Sequence, residues 1–107
     1  MPPKVILVNY KFTGTLAQFA EAHLPSAQTL SELPGLRWKI WLINEAEGEA
    51  GGIGLFDDDA TRQAFIDNVL NAPESDPAIS HIIYKVFDVL DAHTAITRGP
   101  VGHGVPV

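Results

Sequence analysis

No cysteine occurs in the 107 residues, which excludes disulfides, thiolate metal sites and a cysteine nucleophile. Basic side chains are scarce: seven Lys and Arg stand against thirteen Asp and Glu, a formal charge of −6, and they occur as scattered singles. A nucleic-acid or anionic-membrane surface needs a basic cluster, so neither partner is expected, and small or neutral partners are. Long apolar runs are missing too. Met-Pro-Pro-Lys leads directly into a short apolar strand, too short for a signal-peptide core or a membrane span, and the default expectation is a cytoplasmic protein. What remains is globular, with 46% apolar and 19% charged residues in a length suited to one hydrophobic core.

The stretch 34–56 reads as a β-hairpin. Residues 36–43 are β-branched, aromatic or long aliphatic, 44–48 are polar and turn-prone, and 49–56 form a second extended run punctuated by Gly51, Gly52 and Gly54. Both tryptophans, Trp38 and Trp41, sit in the first arm.

Around the hairpin the periodicity predicts a strand over 5–12, then a helix opened by a capping box of Thr15 and Gln18. Leu16, Phe19, Ala20, His23, Leu24, Ala27 and Leu30 make its apolar stripe. Pro25 falls inside this helix, where a missing N–H and a ring clash with the carbonyl of Glu21 predict a kink. Asp57, Asp58 and Asp59 mark the start of a second helix, in which Phe65, Ile66, Val69 and Leu70 face inward, and which should stop near Asn71 before a polar loop over 73–77. A fourth strand is expected over 81–89, with Ile83 and Phe87 on one side and Ile82, Tyr84 and Val86 on the other.

This order, βαββαβ, specifies an α+β, ferredoxin-like fold: a four-stranded antiparallel sheet with two helices on one face. The domain is expected over residues 1–92, followed by a Gly/Pro-rich C-terminal tail over 93–107 without a fold of its own. Strands one, two and four carry large apolar side chains on both faces, whereas two helices cover only one. A homodimer burying sheet against sheet is the expected remedy.

Three segments carry a family resemblance: Pro-Gly-Leu-Arg-Trp-Lys-Ile-Trp at 34–41, Glu-Ala-Gly-Gly-Ile-Gly-Leu-Phe at 49–56 with the acidic cap after it, and Lys-Val-Phe-Asp-Val at 85–89. In these and in its element order, up to about residue 92, the chain resembles the YdhR-type monooxygenases of the dimeric α+β-barrel superfamily. The resemblance implies a dimeric α+β barrel and, by wider analogy, cofactor-independent oxidation of a small aromatic substrate, phenol- or hydroquinone-like, by O2. The alternatives are an isomerase or cyclase acting on a polyketide-like or lactone substrate, and a non-catalytic small-molecule-binding dimer. Haem-degrading relatives in the superfamily ligate iron through a helix-borne histidine. The second helix here has none, which argues against haem unless His23 substitutes.

Oxygenation without a cofactor needs an aromatic-lined pocket, a base of suitable pKa and donors for an oxyanion. His23 is the first candidate base because it lies in the apolar stripe of the first helix, the structural alternative being a histidine satisfied by a backbone carbonyl. Asn9 is the second catalytic candidate: with Lys11 it alternates with Val5 and Leu7 on a strand that is central in this fold, where polar groups would be buried and need partners. Trp38 and Trp41, three apart, must point to opposite faces, so one of them at most lines a pocket. Arg37 and Lys39 are expected on Trp41's face, where a cation could hold a phenolate, although a solvated charge is commoner on an edge strand. Tyr10 and Tyr84 offer hydroxyls to a substrate, or else pack as amphipathic core. Arg62 lies in the apolar arc of the second helix, where it reaches a substrate or snorkels to solvent.

Gly51-Gly52-Ile53-Gly54 lacks the spacing of a phosphate loop and lies within a strand, which leaves close helix packing or room for a ligand above Gly52 and Gly54. His81, His93 and His103 have no partner at ligand spacing, so no metal site is expected.

Overall fold

A computed structural model describes residues 3–71 and 77–101. The element order is β1 (Lys4–Phe12), α1 (Leu16–Ser31), β2 (Leu36–Asn44), a 3₁₀ turn (Glu45–Glu47), β3 (Glu49–Phe56), α2 (Asp59–Phe65) continued by a π turn (Ile66–Leu70), β4 (Ile79–Asp88) and α3 (Asp91–Ile96). The four strands form one antiparallel sheet in the order β2-β3-β1-β4. This is the ferredoxin-like arrangement expected from the sequence, with α3 added. Among the described residues no helix is long and apolar enough to cross a membrane. The expected loop from 73 to 76 and the end of the chain from 102 to 107, including His103, lie outside the described residues.

Local chemistry sets the ends of the helices. The Thr15 hydroxyl accepts from the Gln18 amide at 3.1 Å and the Gln18 side chain accepts from the Thr15 amide at 2.9 Å, completing the capping box. Of the three aspartates it is Asp58 that caps α2, accepting from the Thr61 amide at 2.8 Å, and that hydrogen bond holds its carboxyl below the usual range. Pro25 does not end α1, which runs on to Ser31.

Strand alternation divides the side chains. Ile6, Val8, Tyr10 and Phe12 of β1 face the helices, and Ile6 and Val8 join Phe56, Phe65 and Ile66 in the main core cluster. On β4 a register shift opposite Tyr10 takes up one extra residue, with His81 in the left-handed region at φ 56, so that Ile79 and Ile82 both face the core. No residue of α1 is fully buried. The helix therefore lies over the sheet with space beneath it, and this space holds the candidate site.

The other face of the sheet is partly bare. Ile40, Leu42, Ile83 and Phe87 are exposed there, Ile83 to 61%. One end is covered by the chain itself: the Trp38 indole donates to the Pro100 carbonyl at 2.6 Å, the Arg37 guanidinium donates to the Val101 carbonyl at 2.7 Å, and Val101 is 5% exposed. The stretch expected as a tail thus starts within a helix and packs back over β2 as far as Val101, because a buried apolar side chain and two side-chain hydrogen bonds hold it.

Candidate functional site

The site grows from the alternation of β2 and the glycines of β3. Lys39, Trp41 and Ile43 point toward α1, and in register with the first two stand Gly54 and Gly52. A Cβ at Gly52 would come within 2.8 Å of Lys39 Cε and 2.7 Å of the Ile40 carbonyl, so glycine leaves the space in which the lysine stem lies. At Gly54 a Cβ would make only ordinary contacts, 3.5 Å from Ile6 and Phe56. Gly52 thus makes room for a neighbouring side chain, which was not among the readings from sequence.

Held this way, the Lys39 ammonium nitrogen lies 3.9 Å from the centroid of the Trp41 ring. Burial under α1 pushes its pKa down from 10.5 to about 8. No carboxylate pairs with it among the described residues. A solvated edge-strand charge was the commoner expectation. It fails because α1 lies over this edge and half-buries the lysine, and that loss of hydration is what lowers its pKa.

Above Trp41, His23 stacks on Phe19, one helical turn earlier, with ring centroids 4.1 Å apart and planes 21° apart. Its Nδ1 is 3.0 Å from the Phe19 carbonyl. A carbonyl only accepts, so this hydrogen bond places the proton on Nδ1 and makes Nε2 the nitrogen that can take a proton. Tyr10, half-buried on β1, packs 6.2 Å from the same Phe19 ring.

These groups surround a cavity of about 280 Å³ between the sheet and both helices, lined by Val8, Tyr10, His23, Ser26, Lys39, Trp41, Phe65, Leu70 and Ile82 among others. Its lining is mostly apolar, and the polar side-chain groups on it are the Lys39 amine, the His23 imidazole and the hydroxyls of Tyr10 and Ser26. His23 and Trp41 also line a groove outside it, between α1 and the edge strand β2. The pair therefore stands between the inner cavity and the molecular edge.

Tyr10, His23, Lys39 and Trp41 come together, and Gly52 and Gly54 lie in a small adjoining pocket that shares Lys39 with the cavity. The other expected residues lie elsewhere. Asn9 is exposed on the opposite, bare face of the sheet, because helices cover one side only, and so it shares no cavity with His23. Lys11 is likewise exposed and reaches Glu49 at 3.4 Å. Trp38 is on the same bare face, held by Pro100. Arg37 does not share Trp41's face: an irregularity between Leu36 and Trp38 turns it toward Asp57, 2.6 Å away, and Val101. Tyr84 points to the helix side but is 40% exposed and outside the lining. Arg62 neither snorkels nor lines the cavity: with a side chain 12% exposed, it donates to the Val5 and Phe87 carbonyls at 3.2 and 3.1 Å and pairs with Asp59 at 3.0 Å, pinning α2 to β1 and β4. Sequence reasoning missed Ser26 as a wall of the cavity; its signal was the three-residue spacing from His23. No cluster of three or more His, Asp or Glu able to hold a metal is found among the described residues.

Comparison with known proteins fits this architecture. Among solved structures, SnoaB, a cofactor-independent oxygenase from Streptomyces nogalater studied in a mutant form, superposes with a TM-score of 0.65 at 14% identity, covering 84% of this chain and 95% of that one. The heme-degrader MhuD from Mycobacterium tuberculosis, with two hemes bound in its active site, gives 0.61 at 15% identity over 80% and 95%. A protein of unknown function from Nitrosomonas europaea gives 0.57 at 22% identity over 84% and 91%. These likenesses establish the shared fold, a four-stranded antiparallel sheet with helices on one face. No curated protein matches significantly. Residues 5–100 match the profile of one family, and the chain belongs to it: the family described as Putative mono-oxygenase ydhR.

Proposed function

We propose that the cavity under α1 is the site of a monooxygenase that needs no cofactor and takes a small phenol- or hydroquinone-like aromatic. The reading rests on one observation: an amine on an indole face, an imidazole and a phenol share one mostly apolar cavity. In this reading the aromatic substrate stacks among Trp41 and Phe65. His23 Nε2 takes the phenolic proton and the Lys39 ammonium holds the resulting phenolate. The electron-rich anion then reduces O2. One oxygen atom enters the substrate, the other leaves as water, and the substrate supplies all four electrons, so no reductant is consumed. The family match supports mono-oxygenation as the reaction class, and the apolar aromatic lining supports the substrate class. The working unit in this proposal is a cytoplasmic homodimer, joined through the bare sheet face.

The test is oxygen uptake by chelator-treated protein over a panel of hydroquinones and anthrones. His23→Ala and Lys39→Met should each lower the rate on the order of a hundredfold, whereas Lys11→Ala should not change it. Substrate conversion without oxygen uptake would assign proton-transfer chemistry to the cavity instead. No conversion across the panel, with variants equal to the parent, would overturn the reading.

A further inference from the structure

A half-buried amine on a mostly apolar lining, with no carboxylate to pair with among the described residues, is placed to do more than carry charge. Lys39 sits in such a place: its stem lies over Gly52, its nitrogen on the Trp41 ring, and its end borders a cavity of about 280 Å³. That volume admits a molecule of one or two rings. The titratable groups that line the cavity with the amine are Tyr10 from β1 and His23 from α1, while Phe65 of α2 and Val69 and Leu70 of the π turn that continues it add apolar lining, and Gly52 and Gly54 of β3 lie in the small pocket on the other side of the lysine stem.

We propose that Lys39 is a nucleophilic amine that captures small apolar aldehydes as an imine inside this cavity, an activity that uses the same cavity as oxygenation but needs no O2. The amine nitrogen adds to the carbonyl carbon to give a carbinolamine. The C–O bond then breaks, the two amine hydrogens leave with the oxygen as water, and a C=N bond replaces C=O. One aldehyde enters and one water leaves, with no change of oxidation state. His23 Nε2 and the Tyr10 hydroxyl are the cavity groups able to move the protons. Three features favour the step. Partial burial disfavours the ammonium and favours the neutral amine, which is the reactive form. The neutral imine suits the same walls. Expelled water lowers the back reaction by hydrolysis.

Incubating the full chain at about pH 7.5 with benzaldehyde and a mild borohydride, followed by peptide mass mapping, tests this. An ordinary lysine with pKa near 10.5 is protonated to all but about one part in a thousand at that pH, and Lys39 has on the order of a hundredfold more free amine. Part of that gain is lost to its lower basicity, so Lys39 should be labelled roughly tenfold faster than the surface lysines Lys11 and Lys85. Labelling should fall to the surface rate when the protein is unfolded in urea, and Lys39→Arg should remove the fast phase while leaving Lys11 and Lys85 unchanged. Equal labelling of all three lysines in the folded protein, or a fast phase that survives Lys39→Arg, would overturn the proposal. The outcome is separable from the oxygenase reading, because trapping is run without O2 and oxygen uptake is measured without aldehyde.

Discussion

The ammonium nitrogen of Lys39 lies 3.9 Å from the centroid of the Trp41 ring, two positions along the same strand. Residues i and i+2 share a face, so the pair is local in origin. Its consequence is not local. The ring attracts the charged form by about 0.5–2 kcal/mol. Burial opposes the charge and lowers the pKa to about 8, which leaves both protonation states within reach near neutral pH.

Two opposite pH profiles follow for one residue. Oxygen uptake, which uses the ammonium to hold a phenolate, should decline as pH rises past about 8, whereas imine capture, which uses the free amine, should rise over the same range. In Lys39→Arg the alkaline decline of kcat/KM should move beyond the measured range, since the guanidinium stays charged. A decline with an unchanged midpoint in that variant would assign the titration to another group.

The same burial predicts a stability gain on removing the charge. The folded pKa of about 8 lies below the unfolded value of 10.5. At pH 7 both states hold the proton and the folded state bears the cost of the buried charge; between the two pKa values only the unfolded state holds it, so stability rises with pH; above the upper value the cost is gone. Lys39→Met should therefore stabilise the protein at pH 7 by on the order of 1–3 kcal/mol, with the gain shrinking toward zero near pH 10.5, while activity is lost. Urea melts at the two pH values check this, and an equal gain at both would refute the electrostatic origin.

The two glycines beside Lys39 should respond differently to a methyl group. Gly52→Ala meets a backbone carbonyl at 2.7 Å and the Lys39 stem at 2.8 Å, which predicts about 1–3 kcal/mol of destabilisation and a displaced Lys39, read as loss of its fast labelling. Gly54→Ala makes only van der Waals contacts and should stay within about 1 kcal/mol of the parent, with labelling retained. Similar losses in both variants would mean that the seat of the Lys39 stem does not tell the two positions apart.

The bare sheet face predicts self-association. Ile40, Leu42 and Ile83, exposed to 47%, 46% and 61%, should be buried in a homodimer, and light scattering at micromolar concentration should give twice the chain mass. Ile40→Glu with Ile83→Glu should shift the mass to that of a single chain while the far-UV circular dichroism stays the same. A single-chain mass for the parent protein would exclude the sheet-to-sheet dimer.

Much of the architecture was legible because it rests on local rules. Periodicities of two and of three to four residues set the order βαββαβ, Thr15 and Gln18 announced the start of α1, and strand alternation placed Trp38 and Trp41 on opposite faces before any contact was known. The same alternation misled at Asn9. A central strand in the sheet does not bury both of its faces when helices cover only one, and no pattern within β1 says which face that is.

What the sequence by itself determined is therefore the set of elements and the side of each strand on which a residue lies, since both follow from backbone geometry over a few positions. What only the tertiary structure decided is what covers each side. The seating of α1 over β2 turned Lys39 from a solvated edge charge into a half-buried amine on an indole. The carbonyls of Val5 and Phe87 took up Arg62, and the return of the chain to Val101 occupied Trp38. Desolvation and long-range hydrogen bonding depend on partners distant in sequence, so these roles emerged only once the helices were seated on the sheet.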